Sequence, residues 1–225
     1  ENHTLDLYIP CAMCHLALTE CQHILEENPA MKERINEMLT AEGLHLTEKR
    51  QLVHTVDLLH DIVGIEEIKK HVKNPLSGLK IAAHYGCHIL RPSEIGRPDD
   101  SEHPQKIETI LKVLGVEPMD YPSKLDCCGA PLLANLPDSA LTKTGQKLQE
   151  IQKLGIHGLV DACPWCHKMF DNRQTKAGEL VATKLDVPIL YLTQLLGLAM
   201  GISAEKLGLE LNLSPVDKIQ LGDVN

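Results

Sequence analysis

Residues 124–133 read KLDCCGAPLL, and the adjacent thiols of Cys127 and Cys128 set the chemical question. Neighbouring side chains on an extended strand point to opposite faces, so two such thiols reach one object only where the chain turns. Gly129 permits that turn, because it has no side chain to clash at positive φ. A disulfide between neighbours would be strained, so the pair reads as two ligands of a shared centre. Six further cysteines accompany it: Cys87, the CxxC pairs Cys11–Cys14 and Cys163–Cys166, and Cys21 apart from any motif. In a chain large enough to need no staples, CxxC pairs read as metal ligands or redox thiols before they read as a disulfide framework. Soft thiolates select iron–sulfur centres or zinc over magnesium or calcium. Zinc and a cubane [4Fe–4S] cluster each take four ligands. A fifth thiolate is therefore a spectator or a bridge, and adjacent sulfurs suit bridging because they can approach different irons. Residue chemistry leaves iron–sulfur and zinc both open.

The elements that must position these thiols alternate. LDLYIPCAMCHLALTECQHIL carries an apolar β-like run, a CxxCH and a helical pattern, and HGLVDACPWCHKMFDNRQTKA repeats that order, a weak internal similarity of the kind duplication leaves. Residues 29–73 hold helical patterns, and the turn signal NPLSG at 74–78 then punctuates the chain. A second unit opens with GLKIAAHYGC, followed by a polar, Pro-rich loop, the helix KIETILKVLG and a strand leading to Cys127 and Cys128. The helix DSALTKTGQKLQEIQKLG, a strand into Cys163, another helix and the strand VPILYL complete it. Strands alternating with helices predict an α/β fold, a mostly parallel sheet flanked by helices. Cys87, the Cys127–Cys128 pair and the Cys163–Cys166 pair each follow a predicted strand, at the sheet edge where such folds bind ligands. The helices that follow would aim amides at an anionic cluster.

Composition narrows the class. Of 225 residues 43 % are hydrophobic and 24 % charged, which is ordinary for a globular chain. A net charge of −9 and an aromatic content of 3 % argue against a nucleic-acid surface. No signal peptide is evident. The longest apolar stretch, VPILYLTQLLGLAMGI, falls short of a membrane span and reads as a buried strand followed by a buried helix. A cytoplasmic location is expected, since thiolate ligands must stay reduced. The first residue is Glu1 and not a methionine, which looks like a chain cut upstream.

The spacing Cys87-x39-Cys127-Cys128-x34-Cys163-x2-Cys166, with Gly129 after the pair, resembles the cysteine-rich CCG motif. HYGCHILRP (84–92), ACPWCHKMFD (162–171) and YLTQLLGLAMG (191–201) resemble the B-type subunit of heterodisulfide reductase, and the last sets it apart from relatives in lactate utilisation and glycolate oxidation. The resemblance implies two pseudo-symmetric CCG modules, each holding a noncubane [4Fe–4S] cluster, with a disulfide cleaved between them by two one-electron deliveries. Carried over, Cys87, Cys127, Cys128, Cys163 and Cys166 would hold the second cluster, and Cys11 and Cys14 would close the first module. That module's first cysteine and CC pair have no counterpart here. Residues 1–75 would then be an incomplete first module with a helical connection, and 76–225 a complete second one with a C-terminal helix and tail. Either another polypeptide completes the first module, or Cys11 and Cys14 hold no full cluster and stand free, disulfide-bonded or on zinc. The strand before Cys11 is accordingly expected at a sheet edge or completed from elsewhere. Implied partners are the iron–sulfur (C-type) and flavin-containing (A-type) subunits of such a reductase complex, with a small disulfide or thiol as substrate. No GxGxxG or P-loop occurs, so flavin or nucleotide would sit on another chain. A zinc- or cluster-bearing structural or relay protein without disulfide chemistry is the alternative.

Other residues invite roles. CAMCH and CPWCH match c-type haem attachment, but preceding strands and the missing export signal argue against it. His84 and His88 flank Cys87 and are candidate proton donors to a departing thiolate. His15 and His167 are expected to hydrogen-bond locally, Cys21 to be buried on its helix, Trp165 to shield the centre from water, and Arg91 and Arg97 to sit on an exposed loop.

Overall fold

The computed structural model describes residues 6–46, 49–95 and 97–219. Leu5, where the apolar run toward Cys11 starts, and the last six residues of the tail lie outside them. The chain opens with strand β1 (Leu7–Tyr8) and helices α1 (Ala12–Glu27) and α2 (Pro29–Thr40). Asn28 caps α2 by accepting from the Met31 amide at 3.1 Å, and Pro29 follows as its first residue. Strand β2 (Leu52–Val53) pairs in parallel with β1, so the run before Cys11 finds its partner downstream in this chain. The two residues of β1 are 48 % and 51 % exposed. Helix α3 (Thr55–Asp57) passes through a π-helical stretch, Leu58–Gly64, into α4 (Ile65–His71). His54 caps α3, its Nδ1 accepting from the Val56 amide at 3.3 Å.

The second unit is built on four parallel strands in the order β4-β3-β5-β6: β3 (Lys80–His84), β4 (Glu117–Met119), β5 (Gly158–Asp161) and β6 (Ile189–Tyr191). Helices α5 (Cys87–Leu90) and α6 (Lys106–Val113) lie between β3 and β4, and α7 (Pro137–Lys153) between β4 and β5. Helix α8 (Pro164–His167), a π-helical stretch at Lys168–Asn172 and α9 (Gln174–Leu180) lead to β6, after which α10 (Leu192–Ala199) begins. Beyond Lys80 every residue of β3 is buried, as is all of β5. Strands covered by helices on both faces read as continuous apolar runs, which is why IAA and GLV show no alternation. The core joins these strands to Ile107, Ile110 and Leu111 of α6, Leu148 and Ile151 of α7, and Phe170. The α/β prediction with parallel strands flanked by helices holds. No helix among the described residues is long and apolar enough to cross a membrane.

Two expectations need correction. β4 does not run to the cysteine pair; it ends at Met119, and a turn fills Pro122–Asp126. Pro118 and Pro122 limit strand pairing there, and Pro118 is tolerated because β4 is an edge strand. The turn is fixed by the Tyr121 hydroxyl donating to the Ala83 carbonyl at 3.2 Å, the Ser123 amide to Glu150 at 3.0 Å and Lys124 to Glu108 at 2.5 Å. Cys21 is exposed rather than buried. It lies six residues beyond buried His15, about 120° around the helix, and α1 buries only Ala12 and His15.

Candidate metal centre

The chain steps from β3 to β4 on one side and returns to β5 on the other, so the sheet has its topological switch between β3 and β5. A crevice opens there at the carboxyl ends of the strands. Cys87 begins α5 just past β3, Cys163 is the N-cap of α8 just past β5, and Cys166 lies within α8. Cys127 and Cys128 arrive on the loop after β4. Gly129 makes the expected turn with φ +99°, and an added Cβ would come 2.5 Å from the Ala140 carbonyl oxygen of α7. The Gly129 amide donates to Cys127 Sγ at 3.3 Å and the Ala130 amide to Cys128 Sγ at 3.5 Å. Thr144 of α7 fixes the loop by donating to the Cys128 carbonyl at 2.8 Å.

The five thiols form one electrostatically coupled chain in the order Cys87, Cys127, Cys128, Cys166, Cys163. Cys127 is pushed down in pKa because it accepts from the thiols of Cys128 and Cys87. Cys163 is pushed down by the Cys166 thiol and by the amides of Cys166, Ala12 and Trp165. Cys87 and Cys128 are pushed up, each first by the hydrogen bond it gives to Cys127, and Cys166 first by the one it gives to Cys128. Cys128 and Cys163 are 2 % exposed and Cys166 is 4 % exposed.

His84 ends β3 against this chain. It is 1 % exposed, neither ring nitrogen has a hydrogen-bond partner, and one nitrogen lies within 4.8 Å of the sulfurs of Cys128 and Cys166, which are as close to each other. Burial keeps its imidazole neutral, and its ring stands edge-on to Phe170 at 4.8 Å. An imidazole buried with both nitrogens orphaned is unfavourable unless something completes it. Five soft sulfurs beside an orphan nitrogen fit a thiophilic metal or an iron–sulfur centre.

Polar groups buttress the loops. Asp161, fully buried at the end of β5, accepts from the Cys163 amide at 3.3 Å and from His167 Nδ1 at 3.1 Å. Burial raises its pKa to about 6 despite the histidine. His167 stacks on Tyr191 at 3.8 Å, so its bonding is local, as expected. His15 departs from expectation: its Nε2 donates to the Leu52 carbonyl of β2 at 3.1 Å, and Arg97 donates to its Nδ1 at 3.2 Å. Arg97 is half-buried, not an exposed loop residue, and also donates to the His88 carbonyl, tying the helix after Cys14 to the one after Cys87. Arg91 is exposed, as expected. Trp165 is 40 % exposed and, with His88, Met13 and Pro131, lines a narrow cleft floored by Cys87, Cys128, Cys163 and Cys166.

Cys11 and Cys14 stand outside the thiol chain, with burial holding Cys11 up at about 11. Their segment nevertheless touches the centre, since Ala12 and Met13 line the cleft shared by Cys87, Cys128, Cys163 and Cys166. Sequence reasoning missed Lys147, which is buried on α7 near the thiols. The signal was present, because Lys147 falls on the stripe formed by Ala140, Leu141, Thr144, Leu148 and Ile151. Burial pulls its pKa down to about 8, opposed by Asp126, Cys128 and Glu150.

Comparison with known proteins agrees with this arrangement. Residues 81–171 match the CCG cysteine-rich domain family. The chain is 34 % identical over 214 residues to the B-type subunit of ferredoxin:CoB-CoM heterodisulfide reductase from Methanosarcina mazei, spanning 94 % of this chain and 71 % of that one. It is also 34 % identical over 222 residues to the 8-methylmenaquinol:fumarate reductase membrane anchor subunit of Wolinella succinogenes, spanning 99 % and 76 %. Among solved structures, a hypothetical protein from Helicobacter pylori shares the fold with a TM-score of 0.69 at 18 % identity, covering 93 % of this chain but 38 % of that one. With the five-cysteine pattern gathered at one switch point and a third of its residues shared along nearly its whole length, the chain belongs to the CCG cysteine-rich family of heterodisulfide reductase B-type subunits.

Proposed function

We propose that the chain is an oxidoreductase component that reduces or forms a small disulfide at a noncubane [4Fe–4S] cluster held by Cys87, Cys127, Cys128, Cys163 and Cys166. The observation that carries this reading is the convergence of the five cysteines at the sheet's switch point, with Cys87, Cys128, Cys163 and Cys166 lining one cleft and His84, Cys128 and Cys166 within 4.8 Å of one another. A bound cluster would supply single electrons to a reaction that takes two electrons and two protons and turns one S–S bond into two thiols. Relatives named as reductase subunits support the presence of partner subunits. In this scheme the electrons arrive from iron–sulfur and flavin partners, and the protein works in the cytoplasm. The disulfide in turn approaches the centre at the exposed surface beside Trp165, while the tightly packed cleft beneath it keeps bulk water from the buried sulfurs. Half-buried His88 lines that cleft and delivers a proton to the departing thiolate. His84, neutral and sealed in, is the wall of the site rather than its acid. Residues 76–225 form the complete module in this reading. Cys11 and Cys14 are half of a second site whose other ligands come from another polypeptide segment.

Anaerobic purification with iron and sulfide analysis tests the proposal. About four irons per chain, strong visible absorbance and loss of iron in Cys127→Ser and Cys128→Ser are expected. Colourless protein holding zinc would overturn the reading, as would full iron occupancy with both cysteines replaced. The relative named as a membrane anchor subunit favours a second reading, an electron relay without disulfide chemistry of its own. A reduced centre whose electron paramagnetic resonance spectrum ignores every added disulfide would support it.

A further inference from the structure

Lys147 is 2 % exposed, and its Nζ donates to the Ser123 carbonyl and lies 5.2 Å from the centroid of the Tyr121 ring. Among the described residues it forms no ion pair within 4.0 Å, and Glu150 and exposed Asp126 act on it from farther away. Cys128 and Cys166 are within its electrostatic reach, and it shares a small cavity with Cys127. A buried ammonium without a close carboxylate is unfavourable unless other negative charge stands nearby. Thiolates gathered round a metal centre provide that charge.

We propose that Lys147 is the fixed counter-charge of the thiolate-bound centre and holds the centre's reduction potential up. The inference rests on the iron–sulfur reading above. A positive charge fixed in a poorly screened interior favours the state with one more electron, and net charge is among the quantities that set cluster potentials. Lys147 is a positioning residue in this sense: it acts on the centre through the field it imposes and needs no contact with substrate. Its place on α7 suits the task, because the same helix holds the Cys127–Cys128 loop through Thr144.

The test is an equilibrium redox titration of the full chain, loaded anaerobically and followed by electron paramagnetic resonance. Lys147→Met should retain iron yet titrate lower, with at least a tenfold drop in the reduced-to-oxidised ratio at the potential where the wild type is half reduced, about 59 mV for a one-electron couple. Lys147→Arg should restore the wild-type value. Glu150→Gln removes negative charge facing the same ammonium and should move the potential upward, and it carries the test if Lys147→Met fails to load. An unmoved potential in the variant that loads overturns the role of Lys147 alone. A wild type with no reducible centre overturns the iron–sulfur reading and this inference with it.

Discussion

Replacing Gly129 by alanine is expected to damage the fold and the metal centre together. At φ +99° an alanine takes up a left-handed conformation that disfavours it by about 1 kcal/mol. The new methyl would also lie 2.5 Å from the Ala140 carbonyl oxygen and 3.1 Å from its carbon, both backbone atoms of α7 that no side-chain rotation can clear. The start of α7 must retreat by about 1 Å to regain ordinary contact. That motion stretches the 2.8 Å hydrogen bond from Thr144 to the Cys128 carbonyl, adding about 1–2 kcal/mol for a buried acceptor left unsatisfied. The total is about 2–3 kcal/mol, a fall in melting temperature of roughly 4–12 °C for a chain of this size. Gly155→Ala is the control: its φ is +65°, nothing lies within 4 Å of the added methyl, and only the conformational contribution of about 1 kcal/mol applies. Thermal melts by circular dichroism measure stability, and iron analysis reports whether Cys128 still reaches Cys166. Equal losses in the two variants would refute the steric argument.

Three further outcomes follow from other buried and exposed groups. His54 is fully buried with its pKa depressed to about 3 by that burial, so the unfolded chain takes up the proton first, and stability is complete above about pH 6.5 and lost as pH falls toward 3. Between pH 6 and 5 the wild type should lose up to about 1.4 kcal/mol more than His54→Asn, which keeps an acceptor for the Val56 amide; parallel urea-melt profiles would contradict this. In the metal-free chain, exposed Cys14 and Cys21 should be alkylated at least about tenfold faster than buried Cys128, Cys163 and Cys166, and mass spectrometry showing Cys163 in the first phase would count against the packed thiol chain. Tyr85→Phe removes the hydroxyl that donates to Glu108 at 2.5 Å and accepts from the Ile107 amide at 2.8 Å, so a loss of about 1–3 kcal/mol is expected, and under about 0.5 would show that water replaces it.

The parts of the site legible in the sequence are those that short-range pattern controls. Apolar runs ending at His84 and Asp161 mark β3 and β5, and the cysteines just beyond them had to meet because parallel strands end at one edge. The left-handed turn at Gly129 was readable because the neighbouring cysteines required it. What stayed hidden depends on contacts across large sequence separations. No local rule places Arg97 beside His15, 82 residues away, or pins the Pro122–Asp126 turn through Glu150 and Glu108. Cys21 was misread because cysteine's general preference for the interior is overridden on a helix that buries only one narrow face. Lys147 was passed over because a lysine among lysines on a helix resembles a solvated face until its spacing from Thr144 and Leu148 is counted.

The strand register has a consequence for how errors in folding would show themselves. His84, Asp161 and Tyr191 are mutual partners across three adjacent strands, one row at the functional edge of the sheet. A slip of β5 by a single residue would exchange that row's carboxylate for Val160 or Ala162 and turn Asp161 to the opposite face. The core would hardly register the change, since β5 is apolar on both sides of the sheet, whereas the Cys163 amide and His167 would lose their acceptor. Strand pairing here is thus proofread by polar chemistry at one end and tolerated by the hydrophobic middle. A misregistered molecule would remain compact while being unable to assemble its metal centre.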